Sequence, residues 1–353
     1  MSHFPPAITG RKIRFAVVGC GRIARNHFGA LQKHADRAEL VDVCDTDPQA
    51  LAAAVAETGA RGHANLAEML VASSADIVVL TTPSGLHARQ AIEIAAAGRH
   101  VMTEKPMATR WHDGLAMVRA CDKANVRMFV VKQNRRNSTL QLLKRAVEAR
   151  RFGRIYMVNI NVFWTRPQDY YDSAAWRGTW EFDGGAFMNQ ASHYVDLLDW
   201  LIGPIESLHA YTGTLARDIE VEDTGVISVK WRSGALGSMN VTMLTYPKNL
   251  EGSITIIGEK GTVRVGGVAV NEIQHWEFAE PHADDAKIHE ASYATTSVYG
   301  FGHPLYYDNV IKVLRGEAEP ETDGREGLKS LETLIAAYLS ARDGRRVALP
   351  LDY

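Results

Sequence analysis

The first strong pattern along the chain is a run that is apolar almost throughout, Ile13-Arg14-Phe15-Ala16-Val17-Val18, as expected of a strand buried on both faces. A helical spacing follows from Arg22, with Ile23, His27, Phe28 and Leu31 on one side. Residues 40–44 predict a second strand. Asp47 ahead of Pro48 predicts a capped helix start, and Asn65 with Glu68 resembles a capping box. A third strand is expected at 76–80, then a helix from about Leu86 that stops at Gly98, a common C-terminal signal. Strands at 100–103 and 127–131 with a helix between them complete the series. Strand and helix in strict turn predict an α/β domain, a parallel sheet covered on both faces.

The pattern changes beyond residue 132. Leu140 to Val147 is still helical, and Phe152-Gly153 breaks it. Period-two alternation then predicts strands at 156–164, 223–232, 235–243, 252–257 and 270–278, separated by Gly, Asn and Pro turns. Long strands without intervening helices indicate a mainly antiparallel sheet with one face covered. A helical period over 185–202 interrupts them, and two more helices are expected at 304–315 and 325–342. The chain therefore divides into a dinucleotide-binding domain at 1–132 and an α+β domain at 133–353, expected to bind substrate and build the oligomer.

Composition narrows the chemistry. The net charge is −2 and charged residues make up 23%, which argues against broad nucleic-acid binding. The cysteines Cys20, Cys44 and Cys121 are widely spaced and form no CxxC or Cys/His cluster, so neither a disulfide framework nor a metal site is expected. A reducing cytoplasm fits that usage. Apolar runs are far short of the ~20 residues that span a membrane, and no signal peptide is expected ahead of Phe15.

Gly19-Cys20-Gly21-Arg22-Ile23-Ala24 follows a strand and opens a helix, the arrangement that places a pyrophosphate at a helix N-terminus. Gly19 permits the tight turn and Gly21 the close approach of backbone to phosphate. Asp45, at the end of the second strand, is placed to hydrogen-bond the adenine-ribose hydroxyls and to repel a 2′-phosphate, which favours NAD over NADP. Ligands of open parallel sheets sit beyond the carboxyl ends of the strands. There the chain carries Thr82-Pro83 with His87, and Glu104-Lys105-Pro106. On the later helix, Asn189, His193 and Asp196 fall at i, i+4 and i+7 and are expected in one row.

Glycine turn, Thr-Pro loop, Glu-Lys-Pro, Gly184-Gly185, His193 and Asp196 occur in order, and together they resemble the glucose–fructose oxidoreductase, inositol dehydrogenase and rhizopine-catabolism (Gfo/Idh/MocA) family over essentially the whole chain. The resemblance implies a Rossmann domain with an open-faced sheet domain, NAD as cofactor, and a homo-oligomer, expected to be a tetramer. It implies that Lys105 and His193 are the catalytic pair. Lys105 would stabilise alkoxide character at the reacting oxygen, and His193 would take the proton. It also places Trp176-Arg177 and Gln133 against the cofactor. Two phosphates and a carboxylate call for cations, and Arg135, Arg136, Arg166 and Lys132 are available; Asn189 is expected to hydrogen-bond substrate, and His303 with its neighbouring tyrosines to contact uracil, sugar or a neighbouring subunit, or to serve as interface packing. Many relatives carry Asp where this chain has Asn189, so an Asp-His dyad is not expected and His193 would act as sole base.

The segments 187–194 and Tyr299 to Tyr307 resemble most a subgroup that oxidises the C3 hydroxyl of UDP-N-acetylglucosaminuronate, a UDP-sugar of bacterial surface-polysaccharide (O-antigen, lipopolysaccharide) synthesis. A PLP aminotransferase would act next on the ketone. The family also contains other sugar and cyclitol dehydrogenases, and an NAD-binding regulator without activity.

Overall fold

The computed structural model describes residues 6–295 and 300–351. The strands, in chain order, are β1 (Ile13–Val18), β2 (Ala38–Cys44), β3 (Arg61–His63), β4 (Ile77–Leu80), β5 (His100–Thr103), β6 (Met128–Val130) and β7 (Ile155–Phe163). They continue with β8 (Ile205–Gly213), β9 (Thr224–Trp231), β10 (Leu236–Thr242), β11 (Glu251–Gly258), β12 (Gly261–Gly266), β13 (Glu272–Phe278) and β14 (Val347–Ala348). The helices are α1 (Ala24–Lys33), α2 (Pro48–Thr58), α3 (Leu66–Ala72), α4 (His87–Ala96), α5 (Trp111–Lys123) and α6 (Ser138–Glu148). Then come α7 (Gln168–Asp172), α8 (Ser192–Ile202), α9 (Ile288–Ala291), α10 (Gly302–Leu314) and α11 (Gly324–Asp343). Two compact units result: Met1–Lys132 with His303–Leu331, and Gln133–Gly302 with Glu332–Tyr353.

The first unit is built on a parallel sheet in the order β3-β2-β1-β4-β5-β6. The residues of β4 and β5 are buried on both faces, which is why β4 reads as an unbroken apolar run and β5 carries Val101-Met102 at its centre. Asp47 caps α2 through a bond from the Gln49 amide at 2.8 Å, and Asn65 caps α3 through the Glu68 amide at 2.8 Å. The short strand β3 has no apolar period to announce it. Arg61 Nε and His63 Nε2 reach the buried Asp42 carboxylate at 2.7 and 2.8 Å, so polar pairing holds this edge.

Residues 303–331 return to the first unit, where the sequence pattern suggested two consecutive blocks. Tyr306, Tyr307, Val310, Ile311 and Leu314 are buried in one core with Ile13, Phe15, Val17 and Phe129. The Phe15 and Tyr307 rings lie 5.4 Å apart, and the Ile8 amide donates to the Leu314 carbonyl. Burying each such side chain is worth about 1.5–3 kcal/mol, so α10 stays with the sheet it covers.

The second unit carries an eight-stranded sheet in the order β13-β12-β11-β7-β10-β9-β8-β14. Pairings are antiparallel except β7 with β10, which run parallel. Strand β9 shows why one face is covered: Gly225, Ile227, Val229 and Trp231 are buried while Val226, Ser228 and Lys230 are exposed. No helix among the described residues is long and apolar enough to cross a membrane.

Candidate active site

The glycine turn sits at the carboxyl end of β1, between the ends of β2 and β4. Gly19 has φ +92°, and a Cβ there would meet the Thr81 carbonyl carbon at 2.8 Å. Thr81 Oγ1 donates to the Gly19 carbonyl, so loop and strand end are locked together. Gly21 is exposed, with open space where a Cβ would stand. Ile23, the first-cap residue of α1, offers no side-chain cap. The Ala24 and Asn26 amides donate to the Gly21 and Ile23 carbonyls at 3.1 and 3.0 Å, so an anion would meet the open Gly21–Arg22 turn at the positive end of the helix. Asp45 follows β2, and its carboxylate accepts from the Cys20 amide at 2.6 Å and the Asp47 amide at 2.8 Å. An open glycine, a helix start without a side-chain cap and a carboxylate beside them fit an NAD diphosphate and ribose, with Arg22 exposed on the same turn. Replacing Asp45 by Ala is expected to weaken NAD binding about tenfold and to reduce the preference for NAD over NADP; titration of both dinucleotides by fluorescence measures it.

The other two loops of this edge are tied to each other. His87 is 1% exposed. Its Nε2 lies 2.9 Å from the Thr82 carbonyl and its Nδ1 3.0 Å from that of Pro106. Burial pushes this imidazole down, while the two carbonyls oppose the shift. His87 therefore braces the loops that carry Thr82, Pro83 and Lys105. Thr82 Oγ1 donates to Gln90. Glu104 is buried at the end of β5, and its Oε2 accepts the Lys105 amide at 3.1 Å. Lys105 itself is half-buried.

In the second unit, the single helix expected over 185–202 is interrupted. Ala186–Gln190 forms a π-turn, and α8 begins only at Ser192. Gly184 at φ +80° opens this segment, and Gly185 lies against Glu222, where a Cβ would fall 1.8 Å from Oε2. The extra residue of the π-turn breaks the helical row. Asn189 turns to Asp183, to which its amide donates. Asp196 instead pairs with Arg135 through two bonds of 2.6 and 2.7 Å, both partners buried. Arg135, expected to meet substrate, thus directs its fork at Asp196, with Trp200 alongside. His193 is 6% exposed, and its Nε2 lies 2.9 Å from Gln133 Nε2. An amide nitrogen can only donate, so this contact leaves the lone pair of the neutral ring on Nε2. Gln133 Oε1 is buried without a hydrogen-bond partner, which fits a further donor from a bound ligand.

A cationic and aromatic cluster adjoins the π-turn in the same unit. Arg177 stacks on Trp176 and Tyr170 and donates to the Tyr170 hydroxyl at 2.7 Å. Arg166 lies over Trp164 and Tyr170, and its Nε reaches Gln190 at 3.0 Å. No sequence pattern announces Tyr170 and Gln190, because their shared partners come from separate segments. Arg136 is half-buried, and Lys132, in the first unit, is buried on Ser330 at 2.5 Å. His303 is buried against Glu104, so its imidazole serves the first unit's interior. Tyr299 lies outside the described residues.

Residues 13–132 match the family model "Oxidoreductase family, NAD-binding Rossmann fold", and residues 144–349 match "Oxidoreductase family, C-terminal alpha/beta domain". The chain belongs to the Gfo/Idh/MocA oxidoreductase family. Its structure is similar to that of the WlbA dehydrogenase from Chromobacterium violaceum in complex with NADH and UDP-GlcNAcA, at 79% identity, TM-score 0.95 and 99% coverage of each chain. The corresponding complex of WlbA from Bordetella pertussis is 73% identical, with TM-score 0.96 over 98% of this chain and 100% of that one. A D-apiose dehydrogenase from Paraburkholderia graminis is 29% identical over 97% of this chain and 91% of its own length.

Proposed function

We propose that this chain oxidises the C3 hydroxyl of UDP-N-acetylglucosaminuronate to the 3-keto sugar, with NAD as acceptor. The observation that carries the reading is the 73–79% identity, over nearly the whole chain, to dehydrogenases whose structures hold NADH and UDP-GlcNAcA. The chain's own residues support it. Bound NAD supplies the hydride acceptor. The glycine turn and the positive end of α1 hold its diphosphate, and Asp45 holds its ribose. His193 takes the hydroxyl proton at Nε2, whose lone pair accepts the Gln133 amide N–H in this structure and turns to the substrate hydroxyl when that bond is released. Lys105 supplies an ammonium to stabilise negative charge on a reacting oxygen. Arg166 and Arg177, fixed by Tyr170 and Gln190, suit the anionic groups of a nucleotide sugar. Asn189, held by Asp183, offers an amide rather than a second base.

In this reading the protein works in the cytoplasm as a homotetramer, and a PLP aminotransferase consumes the ketone for surface-polysaccharide synthesis. The test is the rise of nicotinamide absorbance with a substrate panel. UDP-N-acetylglucosaminuronate is expected to be turned over, and myo-inositol and free glucose are not. Turnover of a free cyclitol or sugar with none of the nucleotide sugar would replace this substrate, and no hydride transfer to or from any of them would make the chain a regulator.

A further inference from the structure

The first unit encloses a set of side chains that the chemistry above does not use. Glu104 Oε1 receives His27 Nε2 at 3.0 Å and His303 Nε2 at 3.4 Å, while Oε2 takes the Lys105 amide. His27 Nδ1 lies 2.8 Å from the Tyr307 hydroxyl. All four side chains are buried, His27 and Tyr307 completely. The two imidazoles come from α1 and α10, helices far apart in sequence, and meet edge to face at 5.2 Å.

We propose that His27, His303 and Tyr307 are positioning residues: they clamp the Glu104 carboxylate and, through its bond to the Lys105 amide, hold the backbone from which the catalytic ammonium projects. The inference rests on Lys105 being catalytic, as proposed above. Its physics is directional. A neutral His27 donates from Nε2 to the carboxylate and accepts the Tyr307 O–H at Nδ1, so each hydrogen bond polarises the next toward Glu104. Burial by itself would protonate this carboxyl, yet the N–H donors of His27 and His303 bring it well below the usual carboxylate range. Burial pushes the His27 imidazole down and keeps it a neutral donor. The groups that face Glu104 are His27 from α1, His303 and Tyr307 from α10, and His87 from α4. Of these, His87 is engaged with the Thr82 and Pro106 carbonyls. Once protonated, Glu104 gives up acceptor capacity and the clamp on the Lys105 backbone loosens.

The experiment compares His27→Leu, His27→Gln and Tyr307→Phe with the wild type. His27→Leu is expected to lower kcat about a hundredfold while NADH affinity stays within about twofold. Its acid limb of log kcat against pH is expected to steepen from a slope of about one, set by His193, toward about two, as Glu104 begins to titrate. The amide of His27→Gln replaces the Nε2 donor and restores most of the rate. Adding Glu104→Gln to His27→Leu returns the slope to about one. If His27→Leu does not fold, Tyr307→Phe, which removes one hydroxyl, shows the same changes at about fivefold. An unaltered slope with NADH affinity falling in step with rate would leave these residues a purely structural role and overturn the inference. So would uptake of one equivalent of zinc by the wild type that His27→Leu abolishes. Full turnover by Lys105→Ala would remove the underlying catalytic assignment; an inactive Lys105→Ala beside a His27→Leu of wild-type rate and slope would remove only the clamp.

Discussion

Lys105→Ala and His193→Asn each lower turnover of the nucleotide sugar by about a thousandfold, the scale on which general bases and charge-stabilising groups act, while NADH binds with nearly wild-type affinity. The separation of rate from affinity follows from where the residues stand. The dinucleotide is held by the Gly19–Gly21 turn, the uncapped start of α1 and Asp45, none of which either substitution touches. Lys105 contributes its backbone amide to Glu104, and alanine keeps that amide. His193→Asn keeps a polar side chain in the first turn of α8 but removes the proton acceptor at Nε2. Equilibrium NADH titration beside single-turnover hydride transfer makes the test. An affinity loss equal to the rate loss would show the two residues to be cofactor ligands instead.

Glu222→Gln stabilises the protein at alkaline pH and leaves it unchanged in acid. Glu222 is 3% exposed, and burial raises its carboxyl from an ordinary 4.5 to about 7. Its Oε1 accepts the Phe187 amide and the Tyr338 hydroxyl, both at 2.9 Å, but Oε2 has no hydrogen-bond partner. The folded state binds the proton more tightly than the unfolded chain. Stability therefore falls as pH rises between about 4.5 and 7 and remains lowered above it, by about 3 kcal/mol for a shift of this size. Glutamine keeps the acceptor oxygen and never ionises. Its melting temperature should exceed the wild type by several degrees at pH 8 and match it near pH 4. Parallel melting curves of the two proteins across that range would refute the assignment. Because the same carboxyl packs on Gly185 and holds the π-turn, this titration acts directly beneath the segment that leads into His193.

The Rossmann half was legible because its central strands β1, β4 and β5 are almost wholly buried and two helix starts carry a local cap; Asp47-Pro48 and Asn65 announce α2 and α3. Strand β3 was not legible, since Arg61 and His63 are held by Asp42 through polar contacts rather than by apolar spacing. The break at Ala191 was likewise hidden. An apolar period from 185 to 202 looks continuous, and only the packing of Gly185 on Glu222 makes the π-turn visible. Residues 303–314 read correctly as a helix, but nothing in their own period says which sheet they cover.

What the sequence determined by itself was the chemistry on offer and the local elements bearing it: the glycine turn, an acid after the second strand, a lysine after the fifth, and a histidine on a helix. Each depends on interactions within a few residues. Tertiary structure alone decided which partners those groups have. It turned Arg135 to Asp196 and Asn189 to Asp183, gave His193 the Gln133 amide, and buried His303 with His27 on Glu104. A buried charge or hydrogen-bonding group must find its complement somewhere in the folded chain, and that complement is chosen by proximity in space, which spacing along the sequence does not encode.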